Sequence, residues 1–214
     1  IEELTEASRD DVRLFAVFLD DYHVRLENSM RAREPIARFI EERLQAADMA
    51  GIMYPLWSIS DVMLTRNRKD VAGAIRAFQG RKYDYTPRNA FEERYVHYVS
   101  TVEAERIRNQ VTLSALKGLI TRLGGLREGR KAILLISEGF TNSMPAQVQD
   151  PIAAQPGSGG RSRPDPIGPS SPEQSRLESQ EFLLQTDLLS DIRSVTELAN
   201  QYNTAIYSVD PRGL

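Results

Sequence analysis

Two stretches of this chain are apolar on both faces of an extended backbone, and each runs directly into carboxylates. Leu14-Phe15-Ala16-Val17-Phe18-Leu19 is followed by Asp20 and Asp21, and "KAILLIS" (131 to 137) by Glu138. A third short run, "TAIYSVD" (204 to 210), again closes on an aspartate. Strands apolar on both faces occupy the middle of parallel sheets, because helices cover such sheets above and below. Parallel neighbours require long crossovers, so the segments between should carry helices.

Helical spacing is present where it is needed. Ile36, Phe39, Ile40 and Leu44 form one stripe, with Pro35 placed near a helix start. Asn67 is a candidate N-cap for a helix presenting Val71, Ile75 and Phe78 and stopping at Gly80. A long helical pattern spans 90 to 123 and is expected to end at Gly124-Gly125. Leu188, Ile192, Val195, Ala199 and Tyr202 recur in a last helix that closes at Asn203. In "GIMYPLWSISDVMLT", strands over 52–59 and 61–65 are expected to pair as a hairpin around Ser60-Asp61, with Trp57 in the core. The segment from Ser143 to Ser175 holds seven of the eleven prolines and reads as a surface insertion. Strands alternating with helices give an α/β fold with a mostly parallel central sheet in three layers.

Composition narrows the function classes. A net charge of -3 and the lack of a Lys/Arg stripe argue against a nucleic-acid partner. With no cysteine, disulfides, thiolate metal sites and cysteine nucleophiles are excluded. No apolar run is long enough to span a bilayer, so no direct membrane insertion is expected. "GGLREGRKA" resembles a phosphate loop only superficially, because its glycines precede a strand and Arg130 stands where lysine should. No Gly-x-Ser-x-Gly elbow and no Gly-x-Gly-x-x-Gly fingerprint is present. His97 lies in a helical pattern with no evident catalytic partner.

In open parallel sheets, ligands bind beyond the carboxyl ends of the strands, where the strand order reverses. For an order of 3-2-1-4-5, Asp20 and Glu138 would face each other across that crevice. Two such carboxylates need a cation or a proton between them, and magnesium suits oxygen ligands. Acids are also common wherever chains leave such sheets into solvent, which requires no site at all.

The blocks "RLFAVFLDDYHV", "FIEERLQAADMAGIMYPLWSIS", "MLTRNRKDVAGAIRAFQGRK", "GGLREGRKAILLISEGF" and "ELANQYNTAIYSVDPRGL" together resemble a von Willebrand factor A (vWA) domain. More narrowly they are similar to the VWFA-related domains abundant in acidobacterial proteins. The resemblance implies a Rossmann-like three-layer α/β/α fold with one antiparallel edge strand. It implies residues 1–12 as a junction from a preceding β-domain, residues 13–214 as the vWA-like domain with 143–175 inserted, and continuation into a further helix and strand. It also implies an extracytoplasmic location, secreted or periplasmic. The family's metal-ion-dependent adhesion site, carried over, gives Asp20, Thr86 and Glu138 as metal ligands. Its two serines fall on Tyr22 and Val24, which cannot replace them, so magnesium binding would be weak or absent. Thr112, inside the helical pattern, is the poorer candidate for the site threonine.

The expected function is non-enzymatic binding of a protein partner by Asp20, Asp21, Tyr22, His23, Tyr85, Thr86 and Glu138, with Tyr83 and Tyr85 in a nearby loop adding aromatic contacts. The enzymatic alternative is a magnesium-dependent phosphate-ester hydrolase with Asp20 as nucleophile. Tyr22 then occupies the place of the second acid such enzymes need. A structural spacer is the third possibility.

Overall fold

A computed structural model describes residues 2–9, 11–140 and 172–213. Helix α1 (Glu2–Ala7) leads into β1 (Leu14–Leu19), α2 (Leu26–Arg43) and β2 (Met49–Met53). Then follow α3 (Arg68–Arg76), α4 (Ala90–Val96), α5 (Thr101–Leu126), β3 (Lys131–Ile136), α6 (Pro172–Gln201) and β4 (Thr204–Val209). Among the described residues the four strands form one sheet in the order β2-β1-β3-β4, and all pairs are parallel. The molecule is therefore the expected Rossmann-like α/β fold. The strand order reverses between β1, whose chain continues to β2, and β3, whose chain continues to β4.

Both faces of β1 are buried, as its apolar run requires. Leu14, Ala16 and Phe18 pack with Ile133 and Leu135 against α5 and α6. Val17 and Leu19 pack with Ile136 against α2 and α3. Ala7 of α1 is fully buried in the first of these cores, so the N-terminal segment packs onto the domain. Each large apolar side chain buried in this way is worth about 1.5–3 kcal/mol.

Several local expectations are corrected. No antiparallel edge strand forms among the described residues. The expected hairpin reduces to one antiparallel bridge between Ala50 and Thr65, with a 3₁₀ turn at Ile59–Asp61. Pro55 follows the end of β2 closely and offers no N–H to extend it. Trp57 is 41% exposed rather than in the core. Pro35 lies inside α2, because that helix starts nine residues earlier, at Leu26. The long pattern from 90 is broken at 97–100, and Ser100 caps the second helix by accepting from the Glu103 N–H. Gly124-Gly125 sits within the last turn of α5, where a side chain at Gly124 would collide with the Tyr202 ring. Apart from 172–175, the expected insertion at 143–175 lies outside the described residues. No helix among the described residues is long and apolar enough to cross a membrane.

Candidate functional site

The chain leaving β1 turns at once. Asp20 N–H donates to the Ile136 carbonyl and Glu138 N–H to the His23 carbonyl, which stitches the two strand ends together at the switch point. A second loop is pressed against this turn. Gly80 lies so close to the Val24 carbonyl that a Cβ would approach it to 2.2 Å, so no other residue fits there. Arg81 N–H then donates to the Asp21 carbonyl and Lys82 N–H to the Val24 carbonyl.

Asp20 is fully buried, and its oxygens are already engaged. Both lie 2.9 Å from His23 Nδ1, Ser137 Oγ donates to one at 2.7 Å, and Thr112 Oγ1 approaches the other at 3.5 Å. His23 is equally buried, edge-on to Phe140, and its Nε2 has no partner among the described residues. The threonine that reaches Asp20 is thus Thr112 of α5. Thr86 is exposed, and its N–H donates to Asp84 at 2.9 Å. Glu138 caps α2 instead of facing a shared ion. It accepts from the Arg25 N–H at 2.8 Å and from Asn28 Nδ2 at 2.7 Å, with Lys82 Nζ at 3.4 Å.

Tyr22 and Asp21 belong to a further buried assembly. The Tyr22 hydroxyl donates to Glu92 at 2.7 Å, while the guanidinium groups of Arg81 and Arg108 lie over its ring at 4.6 and 4.9 Å. Arg81 donates to Asp21 at 2.7 Å and forks onto Glu92. Arg108 is fully buried, bonds Glu105 and the Asp84 carbonyl, and lies over the Tyr85 ring at 4.5 Å. Tyr85 in turn donates to Glu105 at 2.9 Å. Burial opposes ionisation of Glu92, but hydrogen bonds from Arg81, the Arg88 N–H and Tyr22 hold its carboxyl below the usual range. Burial pushes the Asp21 carboxyl up despite Arg81, and pushes the Tyr22 phenol far up. Burial works against the Arg81 cation as well, yet Glu92 and Asp21 raise its pKa.

These residues do not fit a divalent ion. Asp20 and Glu138 spend their oxygens on protein donors, Tyr22 and Val24 are fully buried, and no group of three or more metal-ligating side chains occurs among the described residues. Cation charge is supplied here by arginine and lysine side chains.

Beside the sealed corner lies a cleft of about 400 Å³, lined by Arg25, Leu26, Lys82, Tyr83, Asp84 and Arg88 among others. Tyr83 holds φ at +67°, a left-handed conformation uncommon outside glycine and asparagine. Its ring lies 5.7 Å from the Arg25 guanidinium and 5.6 Å from Lys82 Nζ. The sequence offered Tyr83 only as an aromatic neighbour and gave no sign of Arg25, Arg81, Arg88, Glu92 or Arg108. Ser137, a hydroxyl just before Glu138 at a strand end, was the one local signal available.

Fold and site define a Rossmann-like α/β protein with a polar, ion-paired switch point. Compared with known proteins, the chain matches no family model and no curated protein.

Proposed function

We propose that the protein is a non-enzymatic interaction module of the vWA class, holding a protein partner at the C-terminal end of its sheet with weak or absent dependence on divalent metal. The observation that carries this proposal is the cationic cleft beside the switch point. Arg25 and Arg88 are about half exposed at its rim, each 3.7 Å from a carboxylate of the chain (Glu138 and Asp84), and Arg81, Lys82 and Tyr83 line it together with Glu27 and Asp84, so four cations face two lining acids. In a metal-dependent adhesion site the bound cation receives an acidic group from the partner. Here fixed cations stand in the same region, so the partner's carboxylate would meet guanidinium groups held only loosely by Glu138 and Asp84, in the fork geometry that arginine favours. The strained Tyr83 backbone supports a binding role, since such conformations cluster at ligand contacts.

The test is an array of short peptides, each carrying one Asp or Glu in varied context, probed with the full chain in EDTA and again in magnesium. Peptides that bind should carry the acid and bind equally in EDTA. Arg25→Gln combined with Arg88→Gln should weaken them about tenfold, or roughly 1.4 kcal/mol, with the circular-dichroism spectrum unchanged. Binding that needs added magnesium would overturn the proposal. So would phosphate-ester hydrolysis abolished by Asp20→Asn.

A further inference from the structure

The two arginines at the rim of the cleft are paired unlike comparably exposed arginines elsewhere in the chain. Arg13 closes on Asp48 at 2.6 Å, Arg76 on Glu34 and Glu41 at 2.9 Å, and Arg212 on Asp210 at 2.6 Å. Arg25 and Arg88 stand 3.7 Å from Glu138 and Asp84.

The cause lies in the carboxylates. The Glu138 side chain is buried, and its Oε1 accepts from the Arg25 N–H at 2.8 Å and from Asn28 Nδ2 at 2.7 Å. That leaves Oε2 facing Lys82 Nζ at 3.4 Å and Arg25 Nε at 3.7 Å. Asp84 repeats the arrangement nearer the surface. Its Oδ1 accepts from the Thr86 N–H at 2.9 Å, and its Oδ2 faces Arg88 Nη2 at 3.7 Å. The Thr86 hydrogen bond holds the Asp84 carboxyl below the usual range, so it is an anion at neutral pH. Each acid is thus pinned to the backbone by one oxygen and held off its arginine by that bond.

Distance decides what such a contact does. At 3.7 Å there is no hydrogen bond, so the carboxylate does not fix the orientation of the guanidinium. Coulomb attraction falls only as the inverse of distance, so most of the charge interaction survives. An arriving carboxylate therefore meets cations that are free to turn into a fork but already partly neutralised.

We propose that Glu138 and Asp84 are internal competitors for the cleft, which set its affinity for an acidic partner and release Arg25 and Arg88 to a carboxylate that forks onto them. This inference rests on the reading of the cleft as an acid-binding site. It gives both acids a sign: each lies against the site and opposes its ligand.

The test takes the tightest-binding acidic peptide of the array, and a copy whose acid is replaced by the amide, both labelled with fluorescein. Anisotropy is read with the full chain in EDTA. Glu138→Gln and Asp84→Asn keep an oxygen for the backbone N–H and lose the charge. Each should tighten the acidic peptide about threefold, the worth of one exposed ion pair, and the double variant about tenfold. The amide copy should gain nothing. Glu138→Gln also leaves the Lys82 ammonium, 6% exposed, facing an amide, so its circular-dichroism spectrum is recorded first. Asp84 is 43% exposed, and Asp84→Asn decides the question alone if the other variant does not fold. Unchanged or weakened binding of the acidic peptide by folded variants would overturn the inference, as would an equal gain for the amide copy. A parent chain that binds no acidic peptide would instead remove the acid-binding reading itself, and this inference with it.

Discussion

The two ends of the sheet solve opposite problems. At the carboxyl end, Asp20, Asp21, Tyr22, Arg81, Glu92 and Arg108 are buried or nearly so, and each is bonded to another member or to a neighbouring loop. At the amino end of β3 and β4, apolar side chains are open to solvent and two arginines, Arg43 and Arg130, stand without carboxylates among the described residues. A buried charge that loses its partner is costly, whereas an exposed apolar residue costs little to replace. The sealed end should therefore be brittle under substitution, and the open end tolerant.

The largest effect is expected from Glu92→Ala. It strips the fork from Arg81 and the acceptor from Tyr22, leaving a buried cation with Asp21 alone and a buried hydroxyl without its acceptor. Urea unfolding should show a loss of about 3–5 kcal/mol. Tyr207→Ser at the open end should stay within about 0.5 kcal/mol of the parent. Similar losses at both positions would erase the contrast.

Asp20→Asn comes next. His23 and Ser137 both point at the carboxylate, and an amide offers one acceptor where two are used. The expected loss is about 1–3 kcal/mol, read from the same unfolding midpoints. Magnesium should shift neither the parent nor the variant. A magnesium-dependent rise in the parent's midpoint that is absent in Asp20→Asn would show that the corner holds an ion after all.

What the sequence disclosed and what it concealed follow the same division. β1 and β3 were legible because burial on both faces writes itself into every residue of a strand, and their adjacency follows from the switch-point topology. The helix starts were harder. Leu26 begins α2 because Glu138, more than a hundred residues away, accepts from Arg25 and Asn28, and no local cap announces it. Pro35 therefore looked like a start and is an interior residue. Thr112 appeared unsuitable because it sits in a helix, yet that helix passes directly behind the strand ends. The ion network joins positions 21, 81, 92 and 108, whose spacing has no period for a pattern to reveal. Asp20, Asp21, Tyr22 and His23 stood out in the sequence as polar residues directly after a doubly apolar strand. Their types do not distinguish a site that captures a ligand from one whose hydrogen bonds are spent internally.

Acid titration sharpens the comparison within the sealed end itself, through the smallest of the expected effects. Burial raises the Asp21 pKa in the folded state, so the stability this group contributes is fully present below its unfolded value. That contribution is lost as pH rises through the folded value. Glu92 has the opposite sign, because hydrogen bonds from Arg81 and Arg88 hold it low despite burial. Its contribution is present above the ordinary carboxylate range and is lost as pH falls through the folded value. Asp21→Asn should therefore gain stability relative to the parent between pH 4 and pH 7 (about the window above an unperturbed aspartate). The cost of Glu92→Gln should shrink as pH falls from the same upper limit. Urea midpoints at three pH values suffice to read both slopes. Parallel slopes would mean that Asp21 and Glu92 share one environment, and that Arg81 divides its charge evenly between them instead of committing its fork to Glu92.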